Sequence, residues 1–191
     1  MNPLYYLRYL IKNEDSHGIE YPEAFVLSTS GQRLKDAPSS RMVLCKKVTE
    51  DSIYFYTNYE SNKALEIQRI PNVSALFYFK EEGIQIRLKG EVIKMGDAQS
   101  DEYWNTRPYL SKVGGAVSKQ SRKLSFKFLL YLKVLLYILK HGTEVPRPSN
   151  WGGYILVPKE VEVFHMGSFR LNSRTLYKLK NKHWEKENLY P

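Results

Sequence analysis

The sequence predicts a mainly antiparallel β protein with accessory helices, and two observations carry that prediction. Short runs rich in β-branched and aromatic residues follow one another through tight turns, without the regular strand–helix alternation of a doubly wound fold. In the run from Ile84 to Met95, Ile84, Ile86 and Leu88 alternate with Gln85, Arg87 and Lys89, the pattern of a strand buried on one face and wet on the other. An antiparallel barrel is the architecture these features favour.

Taken in order, the first element is an amphipathic helix from Leu4 to Lys12, and the first strand runs from Ala24 to Thr29. A polar loop containing Gly31 and Pro38 follows, then strands at Met42 to Val48, Ser52 to Tyr56, Val73 to Phe79 and Ile84 to Met95. Helices are expected at Lys63 to Ile70, Ala98 to Arg107 and Lys123 to His141. Later strands are expected at Gly153 to Val157, Val161 to His165, Thr175 to Leu179 and His183 to Glu187. With 191 residues, no internal repeat and no composition break, the chain reads as one domain, residues 1–191, large enough to bury roughly two-thirds of its unfolded surface.

The single cysteine, Cys45, lies in an apolar strand and has no partner for an internal disulfide, so an inert thiol in a reducing cytoplasm is expected. The first ten residues lack a basic lead and a small-residue cleavage site, which fits a helix better than a signal peptide. The stretch from Leu124 to Leu139 is strongly apolar, but Lys127 and Lys133 interrupt it and it is short for a span. Packing on the barrel or on a second subunit is the expectation there, with peripheral membrane contact as the alternative and no stable insertion.

A net charge of +9 admits nucleic acid, anionic membrane or a phosphorylated ligand as partner. The tyrosines are scattered without a nucleic-acid-binding signature, so no nucleic-acid partner is expected. Two segments point to a phosphate. Arg41-Met42-Val43-Leu44-Cys45-Lys46 is a strand with a cation at either end, and Phe55 to Lys63 is a strand that turns into a helix with Ser61 as N-cap. A helix N-terminus offers unpaired N–H groups and a partial positive charge, so Lys63 in its first turn, with Arg41 brought alongside by strand pairing, suits a dianion.

Other chemistries lack their signatures. There is no Gly-x-Gly-x-x-Gly after a strand, no Walker loop, no Gly-x-Ser-x-Gly and no His-Glu-x-x-His. The four histidines are widely separated and no metal site is expected. An enzyme built this way would take its chemistry from a bound organic cofactor.

Six segments together resemble one family. Arg41 to Lys46, Phe55-Tyr56-Thr57-Asn58 with Ser61-Asn62-Lys63-Ala64, Thr106-Arg107-Pro108 with Ser111, Val117 to Ser121, Pro148 to Gly153, and Arg170 to Arg174 are similar in order and spacing to the pyridoxamine 5′-phosphate oxidases, from about Pro22 to Pro191. The resemblance implies an FMN-binding split β-barrel of Greek-key type, a homodimer with flavin at the subunit interface. The family oxidises pyridoxamine or pyridoxine 5′-phosphate to pyridoxal 5′-phosphate and reduces O2 to H2O2. It implies that Arg41 and Lys63 hold the FMN phosphate, and that Met42, Val43, Leu44, Lys46, Tyr56, Thr57, Asn62, Gln85, Gln120, Ser121, Phe164 and Arg174 complete the cofactor site. Lys46, Tyr103, Arg107 and Ser111 match positions that grip the substrate phosphate. Arg170 matches the residue over the pyridine ring, and Asn172 stands with it at the catalytic position.

Departures fall in the C-terminal signature and beside the flavin phosphate. Phe164 stands where the family has Trp, Asn172-Ser173 where it has His-Asp, and Asn62 where it has Arg. Asn172 can hydrogen-bond but cannot titrate near neutrality. A related flavoenzyme of the phenazine-pathway branch therefore stays open as an alternative, as does a non-enzymatic polyanion-binding module.

Overall fold

The structure is a computed structural model that describes residues 2–31 and 37–191. The expected loop between Gly31 and Pro38 lies largely outside the described residues. Helix α1 (Pro3–Ser16) opens with Pro3 at its first position, and the Asn2 side chain accepts the Leu4 N–H at 2.9 Å. Its inward stripe is Leu4, Leu7, Leu10 and Glu14.

Nine strands follow among the described residues: β1 (Ala24–Ser30), β2 (Pro38–Leu44), β3 (Lys47–Val48), β4 (Ile53–Asn58), β5 (Asn72–Phe79), β6 (Ile84–Lys94), β7 (Trp151–His165), β8 (Ser173–Lys180) and β9 (His183–Leu189). They form one sheet in the order β2-β1-β5-β6-β7-β4-β3, with β8 on β7 and β9 on β8. The registered pairings of β1 with β2 and β5, β3 with β4, β5 with β6, and β8 with β7 and β9 are antiparallel. The expected mainly antiparallel architecture with accessory helices is therefore what the chain adopts. The helices are α2 (Asn62–Arg69), α3 (Asp97–Thr106), α4 (Tyr109–Val117) and α5 (Lys127–His141).

Several elements differ from expectation. Met42 to Val48 is two strands, because β2 ends at Leu44 and Lys46 N–H turns to Tyr54 O at 2.8 Å. The strands expected on either side of Pro158 are one strand, β7. Gly90 makes this possible, since a Cβ there would come 2.6 Å from the Pro158 Cα, too close for any side chain. The helix expected from Lys123 starts at Lys127, and α4 was not expected at all.

The chain divides into two compact units. The first comprises residues 1–55, 66–93 and 155–191. Its core includes Phe25, Leu27, Phe55, Phe77, Ile84, Ile86 and Leu88, all buried, with Phe25 stacked on Phe77 at 5.0 Å and edge-on to Phe55 at 6.0 Å. The second comprises residues 56–65 and 94–154. Trp104, Val113, Val145 and Trp151 are its centre, and Trp104 Nε1 donates to Val145 O at 2.8 Å.

Candidate functional site

Five of the residues expected at a cofactor site converge in the second unit. The Asn58 side chain accepts the Glu60 N–H at 2.7 Å, turning the chain out of β4 and into α2. Thr57, Ser61 and Lys63 are all buried at this turn. Lys63 Nζ donates to Thr57 Oγ1 at 3.1 Å and to Ser61 Oγ at 3.2 Å. The segment around residue 120 is brought to the same place, where Thr57 Oγ1 donates to Gln120 Oε1 at 3.2 Å and Asn62 N–H to Ser121 Oγ at 3.3 Å. Ser121 adopts φ +67°, a left-handed conformation that a serine takes only when its surroundings impose it. A cation, three hydroxyls, an amide and a helix N-terminus make a donor set suited to a phosphate and to the carbonyl edge of a polar ring.

The expected substrate residues Tyr103 and Arg107 lie in the same unit. Tyr56 and Tyr103 stack at 3.8 Å, with Trp151 parallel to Tyr56 at 5.6 Å. The Arg107 guanidinium sits 4.6 Å from the Trp151 ring centre and 4.9 Å from that of Trp104. Its Nη1 is buried with no hydrogen-bond partner among the described residues, and burial pulls its pKa below the ordinary arginine value. An always-charged group held with a donor unused fits an anionic ligand. Gly115 on α4 supplies the room, because a Cβ there would lie 2.9 Å from Nη1 and 3.1 Å from the Trp104 ring. Ser111 is exposed on the first turn of α4.

The remaining expected residues belong to the first unit. Arg41 stands opposite Leu27 in the β1–β2 pair. Arg41 Nη1 donates to Leu27 O and Thr29 Oγ1, and Nη2 to Ser39 Oγ and, at 3.0 Å, to Glu66 Oε2. Burial pushes the Glu66 carboxyl up, but hydrogen bonds from Thr29 and Ser39 and the charge of Arg41 outweigh it and hold the group below the ordinary carboxylate range. Met42, Val43 and Leu44 line an apolar cleft of about 790 Å³ with Pro22, Val26 and Tyr78. Lys46 pairs with Glu23 at 2.7 Å, and Gln85 is half-buried opposite Tyr78.

At the C-terminal end, Glu162 is buried and bridges Arg87 and Arg174, the latter at 3.0 Å. Arg174 also donates to Tyr190 O at 3.1 Å and faces Phe164 across the β7–β8 ladder. Arg170 is exposed in the 3₁₀ turn Ser168–Arg170, where it and Phe169 adopt φ of +62° and +57°. The Asn172 Oδ1 accepts the Gly167 N–H at 3.0 Å and closes this turn.

Glu66, Glu162, Trp104 and Gly115 went unnoticed in the sequence. Glu66 had a usable signal, since it stands three residues after Lys63 on an eight-residue helix and must share a neighbourhood with it. The others become visible only through tertiary packing.

Residues 11–137 match the family model of pyridoxamine 5′-phosphate oxidase, and residues 151–191 match the pyridoxine 5′-phosphate oxidase C-terminal dimerisation region. The pyridoxine/pyridoxamine 5′-phosphate oxidase of Actinobacillus succinogenes is 39% identical over 91% of this chain and 81% of its own. Among solved structures, PhzG from Burkholderia lata 383, in complex with tetrahydrophenazine-1-carboxylic acid, superposes with a TM-score of 0.91 over 100% of this chain and 93% of its own, at 26% identity. A pyridoxamine 5′-phosphate oxidase-related, FMN-binding protein from Nostoc punctiforme has the same fold, with a TM-score of 0.73 over 93% of each chain at 17% identity. The chain belongs to the pyridoxamine 5′-phosphate oxidase family.

Proposed function

We propose that the protein is an FMN-dependent oxidase that converts pyridoxamine or pyridoxine 5′-phosphate to pyridoxal 5′-phosphate, with O2 reduced to H2O2. The observation that carries this reading is the convergence of Thr57, Asn62, Lys63, Gln120 and Ser121 in a chain 39% identical to an enzyme of that name. Those residues, with Arg41, Met42 to Leu44, Lys46, Tyr56, Gln85, Phe164 and Arg174, would hold FMN. Bound FMN would supply the two-electron acceptor that the side chains lack, with O2 reoxidising it. The chain's own contribution is to bind and orient. Tyr103, Arg107 and Ser111, with Lys46, grip the substrate phosphate, and Arg170 and Asn172 position the ring. The match of residues 151–191 to a dimerisation region supports a homodimer, and an unpaired Cys45 suits the cytoplasm.

An absorption spectrum of the purified protein tests the cofactor, and oxygen uptake with pyridoxamine 5′-phosphate tests the reaction. Flavin bands with pyridoxal 5′-phosphate formation are expected, and a flavin-loaded sample that leaves the vitamer unchanged refutes the substrate. Asn172-Ser173 favours one second reading, a related flavoenzyme acting on a different reduced ring compound. Flavin reduction by such a compound, with none by the vitamer phosphates, selects it.

A further inference from the structure

Helix α5 has two apolar faces, and its own unit uses only one. Val134, Tyr137 and Ile138 are half-buried against the Trp104–Trp151 cluster. At about 100° per residue, Phe128, Leu129, Leu132, Leu135, Leu136 and Leu139 fall on the opposite side of the helix. All six are between 38% and 73% exposed. Lys133 and Lys140 are exposed along one flank of this second face. Just upstream, Leu124 and Phe126 are exposed beside Arg122, Lys123 and Lys127.

The charge around this face has one sign. From Arg122 to Lys140, the segment that carries this face, the chain has five lysines and arginines and no aspartate or glutamate. A water-facing helix gains nothing from six exposed apolar side chains, and a basic partner would be repelled by the flanks. The residues matching the dimerisation region, 151–191, do not include α5. The helix is 15 residues long, about 22 Å, so it is too short to cross a hydrocarbon core of about 30 Å, and no helix among the described residues is long and apolar enough to do so.

We propose that the outer face of α5 docks this protein peripherally on an anionic lipid bilayer. The leucines and Phe128 enter the headgroup–acyl boundary while the lysine stems extend to lipid phosphates. The test is flotation of the full-length protein with vesicles of phosphatidylcholine alone and of phosphatidylcholine mixed equally with phosphatidylglycerol. Flotation with the anionic vesicles only, weakening as salt rises, is expected. The pair Lys133→Gln and Lys140→Gln lowers binding about fivefold per lysine, and the triple variant Leu132→Gln, Leu135→Gln and Leu139→Gln abolishes it. Circular dichroism melts establish that each variant is folded, and the lysine pair carries the test alone if the triple variant is not. Absence of flotation with anionic vesicles, or equal flotation with both kinds, overturns the proposal. So does a triple variant that keeps its flotation or that instead sediments at half the wild-type mass, which would assign the face to a second copy of the chain.

Discussion

Arg41 and Glu66 form an ion pair at 3.0 Å in which both side chains are largely covered, and Thr29 and Ser39 donate to the same carboxylate oxygen. Leu27, Thr29, Ser39 and Glu66 together engage four of the guanidinium's five N–H groups among the described residues. The arginine is thus pre-set by its own strand neighbours. An anion that uses it meets a fixed fork rather than a flexible chain, at the cost of sharing it with a carboxylate.

The pH dependence of stability follows from this pair. The folded-state pKa of Glu66 lies below the ordinary glutamate value, so its contribution is complete above that ordinary value and is lost as pH falls through the folded one. Glu66→Gln cannot titrate. Its melting temperature should be lower at neutral pH, by a stability loss of roughly 1–3 kcal/mol, and should fall less steeply in acid than that of the wild type. Glu23, Asp51 and Glu162 are held low as well, so the difference between the two curves isolates Glu66. Parallel acid limbs in thermal melts would show that the pair is not formed.

Lys63 tests the cofactor placement. Its ammonium is buried with the hydroxyls of Thr57 and Ser61. On the proposed reading Lys63→Ala removes a charge-assisted contact of roughly 1.5–3 kcal/mol, a tenfold to hundredfold loss of FMN affinity. Fluorescence titration of the apoprotein measures it, and unchanged affinity moves the phosphate elsewhere.

Gly115 and Arg107 should separate substrate binding from cofactor binding. A methyl group at residue 115 would press on Arg107 Nη1 and the Trp104 ring, displacing the guanidinium. Gly115→Ala is expected to raise KM for the phosphorylated substrate about tenfold while FMN retention stays as in the wild type, because a displaced charged hydrogen bond forfeits about 1.5 kcal/mol. Steady-state kinetics beside a flavin titration distinguishes this from a general loss of folding.

What the sequence made legible follows the range of the cause. The strand Ile84–Lys94 was readable because its alternation is local, and Ile84, Ile86 and Leu88 are buried as expected. The grouping of Thr57 and Lys63 with Gln120 and Ser121 was reached through the family pattern, since no local rule joins residues 63 apart. Helix α4 was missed because Gly114-Gly115 reads as a break, although Gly115 is there for the space that Arg107 and Trp104 occupy. Pro158 misled in the same way, because the space that lets β7 continue is supplied by Gly90 on another strand.

Asn172 divides a structural role from a chemical one. Its side-chain oxygen accepts the Gly167 N–H and holds a turn in which Phe169 and Arg170 are both left-handed. Asn172→Asp keeps that acceptor and should leave KM within about threefold, whereas Asn172→Leu loses a hydrogen bond of about 1 kcal/mol and frees the turn that presents Arg170. Oxygen-uptake kinetics on both variants decides. Equal damage in the two would mean that the Asn172 amide nitrogen acts on substrate directly.

Cys45 should be silent in the native protein. It is 5% exposed, its Sγ–H points to Lys47 O at 3.4 Å, and burial pushes its thiol pKa up to about 12. Thiolate is the reactive form, so at mildly alkaline pH the folded protein presents almost none, and access is closed besides. An aromatic disulfide reagent should release no chromophore from native protein over minutes and one equivalent once urea unfolds it, which matches the single cysteine of the chain. Rapid reaction in the native state would mean that the Leu44–Lys47 break between β2 and β3 opens far more readily than its backbone hydrogen bonds to Glu23 and Tyr54 imply.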